Sequence, residues 1–302
     1  MSRPPAPLPS HLTGEPFTTA EAAAAGVSRG RTRARDLRSP FHGVRVPAGE
    51  ISLVAACRAR LKPLRDDAVI SHITAARLHS LPLPLLLARA QIIHVSVPAG
   101  RRAPVGRTTV GHQVVLTPAD CQFRHGIPCT TPERTFCDLA AMLDVAQLVA
   151  VGDHLVHHGI VGRGALADAV NAYPGRRGRA NLRRALDLLD EGSESPKESE
   201  LRVLLIEAGF TRPVANRVVR DEHGRFVARV DLSYPDLKIA IEYEGDHHRE
   251  KIPWRADLAR RRRLEALGWI YLPVTQADLE RPEDLFSDLR SAISRRLAAN
   301  GR

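Results

Sequence analysis

Aromatic residues are scarce in this 302-residue chain, where Phe, Trp and Tyr together make up 4%. So few stacking platforms argue against a protein that grips single-stranded RNA through its bases. The four cysteines, Cys57, Cys121, Cys129 and Cys137, include no short C-x-x-C-type pair. That spacing argues against a structural zinc site and fits reduced, half-buried thiols. Long apolar runs are also missing: LPLPLLLA (81–88) is short and broken by prolines, well under the roughly 18 residues of a membrane span. The opening MSRPPAPLPSHL has no apolar stretch of the signal-peptide kind. The expectation is a soluble, cytoplasmic protein with no membrane partner and no small-molecule cofactor.

What the chain does have is basic charge. Lys and Arg number 44 against 34 Asp and Glu, a formal net charge of +10. A polyanion is the natural partner, and DNA the first candidate, because phosphate neutralisation releases counterions. The length exceeds one ordinary core. Composition shifts near 50–68 and the polar stretch EGSESPKE (191–198) suggest a linker and three domains: 1–65, 66–190 and 191–302.

In the first, Thr18 or Thr19 caps an alanine-rich helix that Gly26 ends, and Ser28 caps a second one carrying Arg29, Arg31, Arg33 and Arg35. FHGVRV then turns through Gly43 into a strand with Arg45. Helix, turn, arginine-rich helix and β-wing describe a winged helix-turn-helix, with these five arginines as DNA contacts. The four helical arginines go around the helix, so only some can face DNA at once; an arginine-coated cap without a ligand fits the same pattern. This stretch resembles the N-terminal domain of AbiEi-family antitoxins, DNA-binding autorepressors of toxin–antitoxin systems. VISHITAARLHSLPLP (69–84) and GIPCTTPERTFCDLA (126–140) resemble that family's further signatures. The resemblance implies a DNA-binding regulator and a cognate toxin as partner. Residues 66–190 read as an α+β unit: a helix from about 72, strands near 91–97 and 108–115, and helices over 131–158 and 179–190. Its histidines His72, His79, His94 and His112 read as packing residues.

From 196 onward the elements run α-β-β-β-α-β-α, with DEHG and YPDL as turns of an antiparallel meander. The third strand, IAIEYEGDHHR, puts Glu242 and Glu244 on one face and Ile239, Ile241 and Tyr243 on the other. Asp231 ends the neighbouring strand, and Glu198 starts the first helix. Carboxylates gathered this closely need a compensating charge, and hard oxygen ligands suit Mg²⁺ or Mn²⁺. A solvated strand edge with loop histidines is the alternative.

SPKESELR, RVDLSYP, IEYEGDHHR and WRADLARRRRLEALGW together resemble the very-short-patch-repair-like endonucleases of the PD-(D/E)XK superfamily. That resemblance implies a restriction-endonuclease-like αβββαβα domain hydrolysing phosphodiesters. Asp231 and Glu242 would hold the metal, Glu198 would act through water, and His248 (or His247) would serve as general base. Arg260 would face the phosphate backbone. Glu244 falls where the superfamily has lysine, and Pro273 where the family has arginine. The fold class expected is therefore α+β multidomain. The function expected is a metal-dependent DNA endonuclease directed by its winged helix, or else an antitoxin-type regulator with an idle nuclease-like domain.

Overall fold

Three sheets gather the buried aliphatic residues of the chain. The computed structural model describes residues 5–245 and 251–300, and these form a mixed α+β protein. The chain divides into two units, Met1–Ala141 with Asp168–Arg177 and Met142–Ala167 with Gly178–Arg302. Among the described residues no helix is long and apolar enough to cross a membrane.

In the first unit, strand β1 (Phe17–Thr18) leads into α1 (Thr19–Ala24), where Thr18 and Glu21 close a capping box. Gly26, at φ 73°, follows its end. The arginine-rich second helix does not form as an α-helix; a single 3-10 turn, Arg31–Arg33, takes its place. Local bonds win there: Thr32 Oγ1 donates to the Arg29 carbonyl at 3.0 Å, Ser28 Oγ accepts from Arg31 N at 3.2 Å, and Ala34 is already extended. Side chains of this kind offer the backbone an alternative to helix, and one turn alone cannot offset the cost of nucleation. The hairpin does form, from β2 (Leu37–Arg38) and β3 (Val44–Pro47), in a sheet of order β1-β3-β2.

After α2 (Leu53–Leu61) comes a five-stranded sheet in the order β6-β5-β4-β8-β7. Its elements are β4 (Val69–Ile70), α3 (His72–Leu78), α4 (Leu85–Ala88), β5 (Ile93–Pro98) and β6 (Thr109–Val114), then β7 (Cys121–Arg124), β8 (Ile127–Thr130) and α5 (Pro132–Leu139). The helix at 72 and strands β5 and β6 stand where the sequence placed them. The expected helix over 131–158 is two helices, because Asp144 closes a new capping box with Gln147 and starts α6 (Val145–His157). Next come α7 (Arg163–Ala172) and α8 (Arg179–Leu188).

The second unit follows the expected order with one short helix added: α9 (Pro196–Glu207), β9 (Val214–Arg220), β10 (Phe226–Tyr234), β11 (Ile239–Tyr243), α10 (Lys251–Ala266), β12 (Ile270–Val274), the added α11 (Gln276–Glu280), and α12 (Glu283–Asn300). The sheet runs β12-β11-β10-β9, antiparallel except for the β11–β12 pair. Ile239 and Ile241 pack with Leu201, Leu205 and Leu289 on one face, while Ala240 meets Leu264 of α10 on the other. Residues 191–198 are not a loose linker. Ser193 is buried with its Oγ 2.8 Å from Ser199 Oγ, and Asp190 N donates to Asp153 Oδ1 of α6 at 2.7 Å. Helices α6 and α8, expected in the middle domain, therefore belong with α9.

Candidate active site

The carboxylates meet through strand register. Leu232 pairs with Ile241 across β10 and β11, so the next rung sets Asp231 opposite Glu242, where directly opposed Cβ atoms lie roughly 5 Å apart. On the other side of β10, Ala215 pairs with Leu232 and Arg217 with Val230. Asn216 therefore stands across from Asp231, held at φ 47°, a backbone state asparagine tolerates better than most residues. Glu198 comes from the first turn of α9, where Ser195 caps its N–H at 3.2 Å. Its Oε2 accepts from Asn216 Nδ2 at 2.6 Å and from Glu194 N at 3.0 Å. Asp231 Oδ2 accepts from Tyr243 N at 2.9 Å.

Glu242 is almost fully buried, at 3% exposure. Arg260 reaches down from α10 to hold it, with contacts of 2.5 Å and 3.0 Å, and the Tyr271 hydroxyl lies 3.3 Å from an oxygen of each of Glu242 and Glu244, sharing its one hydrogen between them. Glu244 itself is exposed. Pro273 pairs with Glu242 on β12, an edge strand, where a missing N–H is tolerated.

These partners do not fully compensate the acids. Burial, reinforced by the charge of Glu198, pushes Asp231 up to about 6, against the pull of the Tyr243 N–H, Arg260 and Arg229. Burial pushes Glu242 up to about 7, with Arg260 opposing and Asp231 adding to the rise. Both folded-state values exceed the unfolded ones, so the folded protein holds more protons between them. Stability is thus greatest below the usual carboxylate range and falls as pH rises through about 6 to 7. A scan of melting temperature in chelator should show the protein melting higher at pH 5 than at pH 8. The Asp231→Asn/Glu242→Gln variant should lose that difference; an unchanged slope would refute the assignment.

Among the described residues, no three His, Cys, Asp or Glu side chains converge closely enough to hold a metal ion. The fit rests on the Asp231–Glu242 pair alone. Mg²⁺ is commonly held by one or two carboxylates with waters and substrate phosphate completing the shell, and two under-compensated acids on adjacent strands suit that role. His248 and His247 lie outside the described residues.

The expected DNA contacts divide. Arg29, Arg33 and Arg35 are exposed. Arg31 instead forms a two-pronged bond with Asp36 at 3.0 and 2.7 Å, its side chain only 11% exposed. Arg45 spends its guanidinium on Thr32 O, Ser39 Oγ and Val44 O, so both arginines brace the hairpin. Arg260, expected on phosphate, pairs with the buried Glu242 carboxylate instead.

Sequence reasoning missed Asn216 and Tyr271; His72, His94 and His112, read as packing residues, do pack, and against one another. His72 and His112 stack at 3.6 Å, and His94 Nδ1 lies 3.0 Å from His112 Nε2. Burial, with the neighbouring imidazoles adding to it, drives His72 down to about 2 and His94 to about 4. They pack as neutral rings.

Fold and site thus define a mixed α+β protein whose C-terminal sheet sets the half-buried Asp231 opposite the buried Glu242 at the β10–β11 rung. No family model and no solved structure matches the chain. It is 32% identical over 193 residues to two proteins of Mycobacterium tuberculosis, uncharacterized protein MT2308 of strain CDC 1551 / Oshkosh and uncharacterized protein Rv2248 of strain ATCC 25618 / H37Rv. The match spans 63% of this chain and 69% of each relative. The chain belongs to the family of these mycobacterial proteins.

Proposed function

We propose that the C-terminal part is a metal-dependent DNA endonuclease of the very-short-patch-repair-like kind, directed by an AbiEi-like DNA-binding N-terminal part. The observation that carries this reading is the rung of Asp231 opposite Glu242, two acids held near neutrality and backed by Glu198. Bound Mg²⁺ or Mn²⁺ would supply charge stabilisation at the scissile phosphate and a more acidic water. Asp231 and Glu242 would hold the ion. Glu198, held by Asn216 and the Glu194 N–H, would orient solvent at the ion. Tyr271 keeps Glu244 beside Glu242, and His248 is proposed as the proton acceptor. The test is incubation with supercoiled plasmid. Nicked or linear DNA is expected with Mg²⁺ or Mn²⁺, and none with EDTA.

A second reading has its own support. Arg260 already occupies Glu242, as an idle scaffold domain of an antitoxin-type regulator with a cognate toxin would allow. Plasmid that is retarded on a gel yet uncut with either ion would favour that reading.

A further inference from the structure

Strands β9 and β10 run on past the carboxylates as a hairpin at the edge of the sheet. Its rungs pair Val218 with Arg229 and Arg220 with Phe226, and residues directly opposed share a face. All four are exposed, Phe226 at 60% and Val218 at 42%, whereas Val219, Ala228 and Val230 between them are buried. The buried residues join the core, and the exposed ones form a ribbon of two arginines, a phenylalanine and a valine. Residues 214–229 contain four arginines against two acids, and one of those acids, Asp221, is taken by Arg225 at 2.7 Å. Among the described residues neither Arg217 nor Arg220 pairs with a carboxylate.

The ribbon is physically joined to the acidic site. Arg229 pairs with Glu194, and the Glu194 N–H in turn holds Glu198. Two residues along a strand advance about 7 Å, so Arg229 lies one step from Asp231; the Arg220–Phe226 rung follows across a shift in register, two residues beyond Val218 on β9 and three beyond Arg229 on β10. An aromatic face in chain that has few of them, left in solvent between arginines, suits stacking on a base with phosphates held on either side.

We infer that the exposed face of the β9–β10 hairpin is a docking ribbon for a DNA strand, which it leads to Asp231 and Glu242. Only the direction, ribbon toward site, rests on the nuclease reading; the docking itself does not. Arg220 and Phe226 hold the strand, and Arg229 guides it past Glu194.

The test compares wild type with Arg220→Ala/Phe226→Ala, both side chains being exposed so that the melting temperature should stay unchanged. A fluorescein-labelled DNA oligonucleotide is titrated in EDTA over a series of salt concentrations. The variant should bind about tenfold more weakly, and its logarithmic salt slope should be shallower by about 1. Affinity and slope equal to wild type would overturn the ribbon, as would absence of DNA binding by the wild type. Weaker binding by the variant, with no cleavage by either protein in Mg²⁺, would support the ribbon while removing the hydrolase reading. Normal binding by the variant alongside active cleavage would do the reverse.

Discussion

Asp231→Ala should abolish Mg²⁺-dependent strand cleavage while DNA affinity measured in EDTA stays at or above the wild-type level. Asp231 supplies one of the two acids on the central rung, so under the nuclease proposal its loss would halve the protein's share of the ion's ligands. Losing several kcal/mol of transition-state stabilisation corresponds to a rate lower by about a thousandfold. Affinity moves the other way, because removing one anion beside Glu242 lessens repulsion of an incoming phosphate. The substitution also removes the hydrogen bond that the Tyr243 N–H donates to Asp231 Oδ2, a loss of about 0.5–1.5 kcal/mol. Asp231→Asn separates these effects: the amide oxygen still accepts from Tyr243, yet it carries no charge for a cation. Both variants should be inactive, and only the alanine form should melt lower. Wild-type cleavage rates in Asp231→Asn would remove the rung from the chemistry. Loss of DNA binding in parallel with cleavage would mean that the acids act through folding.

The C-terminal order of elements was legible because its signals are local. Alternating apolar residues mark β10 and β11, Gly209 and Gly268 sit at left-handed turns after helices, and the Glu-x-Glu spacing puts both acids on one side of a strand. What closes the site is not local. Arg260 lies on the tenth residue of α10, and its reach to Glu242 depends on how that helix crosses the sheet, which no short motif states. Tyr271 and Asn216 enter through pairing with strands far away in sequence. At the N-terminus the reverse happened: Ser28, read as a cap before four arginines, suggested a second helix, yet the Thr32 hydroxyl and the Arg31–Asp36 pair favoured a turn. The polar run 191–198 read as a linker because its composition is hydrophilic. Its Ser193 instead bonds Ser199, which in turn donates to the buried Asp153, a pairing visible only once α6 and α9 are side by side.

That aspartate carries the largest stability effect expected of the chain. Arg202 and Asp153 are 0% and 2% exposed and meet at 2.5 Å. Arg202 also donates to the Leu188 carbonyl at 2.5 Å, and Asp153 accepts from Ser199 Oγ and Asp190 N, each at 2.7 Å. Burial still drives the Asp153 carboxyl upward against these partners, so the site cannot hold an unpaired charge cheaply. Arg202→Met should therefore cost about 3–5 kcal/mol in urea unfolding, read as a lower midpoint with an unchanged slope. The double variant Arg202→Met/Asp153→Leu leaves no orphaned charge and should recover much of that loss. The damage should also reach the acids. Arg202 lies one turn along α9 from Glu198, on the helix whose start Ser195 and Ser199 anchor, so a loosened α9 moves Glu198 relative to Asp231. If Arg202→Met unfolded with the wild-type midpoint, the ion pair would not be what fastens α9 to α6. Asn216 would then be left as the main tie holding Glu198 in place.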